Sequence, residues 1–237
     1  MATTRASRWT TLLAALPALA LGAGCPSFTT MGSARTLPAR HVQAWLAPGY
    51  TTLHDFQRDS GSHEPVAIAL PNVEVGARLG VTDEVEVGGK LWLYGAELDG
   101  KFAILRPARP EDGVAVSVAP GVSHMRLDAG SGTTSASYTW IHLPVLVGFP
   151  LEGGSELTLG PRISDLIVTG GGTTQGAIWV GGSVGLAWRL GPWFRLLPEV
   201  SMAYPVAGLG TPTGTALDLK PRGAVTQVGL GLLFGGE

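Results

Sequence analysis

The sequence predicts an all-β chain folded as a single up-and-down antiparallel transmembrane β-barrel of about ten strands, with roughly eight to twelve compatible with the pattern. Three observations predict it. Segment after segment alternates apolar and polar side chains with a period of two, as a strand with one apolar and one polar face requires. Mean hydropathy is positive at +0.25, yet no stretch beyond residue 25 is a long uninterrupted apolar run, so helical spans are not expected. One set of connections, at 51–69, 95–97, 126–135, 169–176 and 206–222, is mostly long, and the other, at 82–83, 107–112, 150–155 and 191–192, is mostly tight, the asymmetry of a barrel with outer loops and periplasmic turns.

Composition agrees. Glycine supplies 35 of 237 residues, about twice its usual share. Charged residues make up 14%, against a usual ~25%. Net charge is −2, and no basic excess points to nucleic acid.

The strands are expected at 39–50, 70–81, 84–94, 98–106, 113–125, 136–149, 156–168, 177–190, 193–205 and 223–234. The second and third carry the clearest pattern. Val73, Val75, Ala77, Leu79 and Val81 share one face, and Asn72, Glu74, Gly76, Arg78 and Gly80 the other. After the turn at Thr82-Asp83, Val85, Val87, Leu91 and Leu93 oppose Glu86, Gly88 and Lys90. Further on, Ile141, Leu143, Val145, Val147 and Phe149 alternate with Trp140, His142 and Pro144. Val180, Val184 and Trp188 oppose Trp179, Ser183 and Arg189, and Phe194, Leu196 and Val200 oppose Arg195, Glu199 and Ser201. The last strand sets Val228, Leu230, Leu232 and Phe234 against Gln227, Gly229 and Gly231. Tyr50, Tyr94, Tyr138 and Tyr204 fall near one set of strand ends, and Phe149, Trp188, Trp193, Phe194 and Phe234 near the other. Amphipathic rings prefer the headgroup region. Pro120, Pro144, Pro161 and Pro198 fall inside these strands. Each removes a ladder donor, and bulges are expected to absorb some of the loss.

The first residues form an export signal, with Arg5 and Arg8, an apolar Thr10 to Leu21, and the small residues Gly22, Ala23 and Gly24 before Cys25, the only cysteine. The apolar part is shorter than the about 20 residues a spanning helix needs. Cleavage before Cys25 removes two of the 16 Lys and Arg and none of the 18 Asp and Glu, so the mature chain is acidic. One cysteine permits no internal disulfide. The organisation expected is a signal peptide over 1–24, a linker over 25–38 and a barrel domain over 39–237, with the mature N-terminus tethered in the periplasm.

Ala23-Gly24-Cys25 resembles the lipobox of bacterial lipoprotein precursors, with Gly22 where Leu is usual and Leu21 one place early. The resemblance implies a covalent lipid on Cys25 and the lipoprotein-sorting machinery as a partner. Pro26 is not the aspartate associated with inner-membrane retention. The stretch from Ala77 to Gly88, with Arg78, Gly80, Thr82 and Asp83, resembles a periplasmic turn common in small bacterial outer-membrane β-barrels. The run Gly229 to Phe234 resembles the terminal strand read by the barrel-insertion machinery, although Gly235, Gly236 and Glu237 follow it. These resemblances imply the outer membrane of a Gram-negative bacterium, with membrane lipid as the surroundings. They carry over no catalytic or ligand-binding residue.

The charges expected in the lumen are Glu74, Arg78, Glu86, Lys90, Arg162, Arg189, Arg195 and Glu199, since Arg or Lys facing lipid at midplane costs about 2–4 kcal/mol. Two interiors fit them. One is a packed ionic core with pairs across the lumen, and the other is a narrow passive pore for small solutes, whose mixed signs would give weak ion selectivity. A lipid-tethered soluble barrel or sandwich holding an apolar ligand would invert the faces.

No enzyme, metal site or cofactor is expected beyond the lipid. His142 reads as a lumen histidine with a hydrogen-bond partner. Ser123, His124 and Asp128 lie near one another but carry no Gly-x-Ser-x-Gly motif. His54, Asp55, Asp59, His63 and Glu64 lack metal-ligand spacing. Gly170-Gly171-Gly172 precedes no helix and is not a phosphate cradle.

Overall fold

The computed structural model describes residues 27–54, 68–109, 112–127, 136–170, 173–209 and 223–235. Its strands are β1 (Val42–Leu53), β2 (Ile68–Gly80), β3 (Val85–Trp92), β4 (Gly95–Leu105), β5 (Ala115–Val118), β6 (Gly121–Leu127), β7 (Ala136–Leu151), β8 (Ser155–Gly170), β9 (Thr173–Arg189), β10 (Phe194–Leu209) and β11 (Val225–Gly235). All pairings are antiparallel between neighbours in sequence, with β5 and β6 both lying between β4 and β7. β1 pairs with β11 from Gln43↔Gly235 to Leu53↔Val225 and closes the sheet.

β5 and β6 are one strand with an interruption. On the β7 side Val118 faces Val145 and Gly121 faces His142, so the register is unchanged across the gap. The same holds against β4, where Phe102 faces Val118 and Asp99 faces Gly121. The wall therefore has ten strand positions, the number the alternation predicts.

The prolines explain the gap. Pro120 and Pro144 lie on facing strands at that point, so one lapse accommodates both missing donors. The flanking bonds Ala119 N to Pro144 O and Gly100 N to Pro120 O, both 3.0 Å, survive. Pro161 and Pro198 produce no bulge, and the one register shift of β9–β10 lies at Pro205/Ala207. Across Pro161, the β7–β8 register runs from Pro144↔Arg162 to Val147↔Leu159 without a shift. Across Pro198, β9–β10 runs from Leu196↔Trp188 to Glu199↔Gly185. The ladder loses pairs and keeps its phase, which a closed sheet needs because a one-residue slip exchanges inside for outside.

The faces divide as in a bilayer-spanning wall. Val73 and Val75 are 55% and 52% exposed, while Glu74 between them is 1% exposed. Val87, Leu91, Ile141, Val184 and Val228 also lie outside, and Glu86, Lys90, Glu199 and Gln227 are buried inside. A soluble barrel requires the opposite placement. No helix among the described residues is long and apolar enough to cross a membrane; the crossing elements are strands. Tyr50 and Tyr204 are exposed at one rim, and Trp188, Trp193 and Phe234 at the other, where Phe234 stacks near Trp193 and Phe194. Tyr138 departs from the expected belt. It shares the parity of Trp140 and His142 and packs against the lumen cluster.

The largest departure concerns the linker expected over 25–38. Residues 27–38 lie inside the barrel. Phe28, Thr29, Met31, Ala34, Thr36 and Leu37 are all buried there, and the chain leaves the lumen through 39–41 to begin β1 at Val42. Cys25 lies outside the described residues.

The fit between wall and lumen is close at Gly76. It faces Trp45 across β1–β2, and a Cβ there would fall 2.1 Å from the Trp45 ring. Trp45 is 1% exposed and packs with Met31, Leu197 and Leu233. Gly76→Val is expected to lower unfolding free energy in detergent micelles by about 1–3 kcal/mol. Gly191→Ala, at a turn with nothing within 4 Å, should change it by less than ~0.5 kcal/mol. Equal urea midpoints for the two variants would contradict the packing described.

Candidate functional site

The lumen is the site. An extended segment without a strand partner enters it carrying backbone donors and acceptors that water no longer reaches, and each left unpaired costs about 1–3 kcal/mol. The wall supplies the partners from its inward side chains, which the period of two directs there.

Carboxylates and one amide oxygen receive the N–H groups. Gln227 Oε1 accepts from Phe28 N at 2.7 Å. Glu199 accepts from Thr30 N at 2.7 Å, Thr30 Oγ1 at 3.0 Å and Met31 N at 2.9 Å. Glu156 accepts from Ala34 N at 2.7 Å, and Glu86 from Leu37 N at 2.9 Å. Cations serve the carbonyls. Lys90 Nζ donates to Thr29 O at 2.6 Å and Ser27 Oγ at 2.7 Å. Arg78 donates to Thr30 O and Met31 O. Lys101 donates to Ser33 O and Arg35 O, both at 3.0 Å.

The same groups pair along the wall. Lys90 lies 3.2 Å from Glu97 and 3.9 Å from Glu74. Glu74 also accepts from Thr29 Oγ1, Asn72 and Gln227. Glu86 lies 2.9 Å from Lys101 and 3.3 Å from Arg78, and His142 Nε2 is 3.2 Å from Glu97. Pairs across the lumen were expected. Most of the ion pairs instead join adjacent strands, and Arg78–Asp99 and His142–Glu97 reach over a single intervening strand, because the segment occupies the centre and takes the remaining bonds.

Met31 adopts φ of 41°, a left-handed conformation that costs an L residue about 1–2 kcal/mol. Glu199 holds its N–H and Arg78 its carbonyl, while its side chain sits among Trp45, Ala187, Leu197 and Leu233. The surroundings fix the turn from three sides.

The lumen is layered. At the end nearer the long connections, Phe28 packs edge-on against Trp140 with centroids 5.0 Å apart, and Trp140 against Trp179 at 5.3 Å. The ionic layers follow. At the tight-turn end a vestibule of about 320 Å³ opens beside Arg35, Arg106, Arg195, Gln43 and Glu156.

Of the eight charges expected inside, Glu74, Arg78, Glu86, Lys90 and Glu199 hold the segment or one another as described. Arg162 is half-buried beside Glu97 and His142. Arg189 and Arg195 are half-buried near the tight-turn mouth, where Arg189 Nε donates to Gly191 O at 3.4 Å. Sequence reasoning missed Glu97, Asp99, Lys101 and Glu156. The first three alternate on β4, which begins at Gly95, so an expected start at 98 left Glu97 outside the strand. Ser123 and His124 do not come together. Ser123 is buried in the lumen, whereas His124 faces outward with Nδ1 3.0 Å from Thr139 Oγ1. Asp128 and most of the 54–64 polar cluster lie outside the described residues.

No protein-family model and no curated protein matches this chain. Among solved structures, it is similar to neisserial surface protein A, with a TM-score of 0.42 and 10% identity over 81% of this chain and 96% of that one. The outer membrane protease OmpT from Escherichia coli gives a TM-score of 0.49 and 8% identity over 84% and 98%. The translocator domain of autotransporter NalP from Neisseria meningitidis gives 0.43 and 11% over 97% and 96%. At these identities no side chain is carried across.

Two outcomes are expected from the segment's contacts. Glu199→Ala strands two backbone N–H groups and should cost about 3 kcal/mol of unfolding free energy, against under about 1 kcal/mol for Ser201→Ala; a smaller loss for Glu199→Ala than for Ser201→Ala in urea titrations contradicts the arrangement. At the tight-turn rim, Asp83 Oδ1 accepts from Ala39 N at 3.0 Å. That bond, and then the nearby Arg106, hold the Asp83 carboxyl below its ordinary range. A depressed carboxyl stabilises the fold above the ordinary aspartate range and loses that contribution as pH falls through the lower folded value. The Ala39 amide nitrogen shift, followed by NMR, should therefore titrate with a midpoint below the ordinary aspartate value. A midpoint at or above it excludes the contact.

Proposed function

We propose that the protein is a structural barrel of the Gram-negative outer membrane, sealed by its own N-terminal segment and not an open passive pore. The observation that carries this reading is the filled lumen. Beside the segment, the polar gap bounded by Thr29, Gly32, Glu97, His142, Leu146 and Arg162 has a volume of about 20 Å³, room for roughly one water. A narrow pore needs a continuous wet path, and four of the inward charges that suggested one, Arg78, Glu86, Lys90 and Glu199, are engaged by the segment's backbone. Ser123 and His124 on opposite faces of β6 support a role without acyl-transfer chemistry. The Cys25 signal supports a lipoprotein that uses the sorting machinery, and the terminal run Gly229 to Phe234 supports barrel insertion.

The experiment is conductance of the full mature chain in planar bilayers. Stable insertion without steady open-channel current is the expected result, and ohmic conductance from the intact chain would sink the reading. A variant lacking 27–38 that still migrates as a heat-modifiable barrel is expected to conduct. If it is as insulating as the full chain, the segment is not the seal.

A further inference from the structure

The segment in the lumen has a direction. Phe28 lies with Leu53, Val225, Trp140, Leu166, Val168, Trp179 and Ala203, close to the strand ends that lead into connections 54–67, 93–94, 128–135, 171–172 and 210–224, the first and last of which are the longest in the wall; the connections at the opposite mouth are 81–84, 106–114, 152–154 and 190–193. From there the chain descends. Met31 meets Trp45 and Leu197, Ala34 meets Ala115 and Leu146, and Leu37 reaches Glu86. Thr36 and Ala39 bind Asp83 and Arg40 N donates to Gly80 O, all at the tight β2–β3 turn. The chain thus enters by the long-connection mouth and leaves by the tight-turn mouth, where β1 begins. A tether on the tight-turn side, as the sequence led us to expect, would give the opposite course.

Long connections mark the outer face of such a barrel and tight turns the periplasmic face. We propose that the chain preceding Ser27 leaves through the outer mouth, so that the mature N-terminus is displayed at the cell surface and a lipid carried on Cys25 inserts its acyl chains in the outer leaflet. Reach favours this course. Pro26 alone separates Cys25 from Ser27, and the two steps of chain span about 7 Å when extended. Returning to the periplasmic side would mean passing the length of a lumen already filled. Acyl chains, at about 0.8 kcal/mol per buried CH₂, belong in hydrocarbon, and the nearest hydrocarbon to that mouth is the outer leaflet. The inference rests on the sealed-barrel reading, and its test does not use conductance.

The test inserts a short hydrophilic epitope between Pro26 and Ser27 of the full chain, with Cys25 kept. Epitopes within 210–222 and at 191–192 serve as outer and periplasmic references, and heat-modifiable migration verifies folding. Antibody binding to intact cells at the level of the 210–222 reference is the expected result. Detection only after permeabilisation, as at 191–192, overturns the direction. Pro26→Cys probed with a membrane-impermeant maleimide provides a smaller second probe with the same two outcomes. Clickable fatty acid should label the wild-type chain and be lost in Cys25→Ala. A wild-type chain that takes no label overturns the lipid half of the proposal. An open channel with a surface epitope would refute the seal and leave the direction standing.

Discussion

An irregular backbone buried away from water must find a partner for every polar group it carries, and that constraint organises the interior of this barrel. Strands satisfy one another, but residues 27–38 have no strand beside them. Five of their amides go to side-chain oxygens of Gln227, Glu199, Glu156 and Glu86. Five of their carbonyls go to Lys90, Arg78 and Lys101. A peptide chain presents donors and acceptors together, so a wall that solvates it needs carboxylates and cations together. The mixed signs in the lumen, which argue against a strongly selective pore, follow directly from this. The lipid outside enforces the arrangement, because the same groups on the outer face would be costly.

The wall was legible because its signal is local and repeats. Val73 to Val81 and Val85 to Leu93 assign their faces without reference to anything else in the chain. Even the prolines could be read as strand residues, since the ladder gives up pairs at Pro144, Pro161 and Pro198 without changing phase. The segment was not legible for the opposite reason. Phe28, Met31, Ala34 and Leu37 have no strand period, and their neighbours on the wall are far away in sequence. The Phe28 amide bonds to a residue 199 positions later, and the Met31 amide to one 168 later. Charges on the inner face could be found from alternation. That they serve a backbone and not a solute could not, because nothing local distinguishes a glutamate that accepts an amide from one that lines a channel.

The sequence separations of these contacts also divide the interior in two. Thr29 to Glu74, Met31 to Arg78, Leu37 to Glu86 and Lys90 to Thr29 link residues 45, 47, 49 and 61 apart. All of them lie on the β2–β3 hairpin, which sits beside β1, the strand that the segment runs into. The contacts to Glu156, Glu199 and Gln227 close spans of 122 to 199 residues. Loop closure over longer spans costs more entropy, so the segment and the first three strands form the natural early unit, with the segment lying along their inner face. β8 to β11 then complete the enclosure when β11 meets β1. On that order the segment never has to thread a finished barrel. It is laid down first, and the wall is built around it, which reconciles a filled lumen with a closed ladder of strands and with a chain that enters from the far mouth.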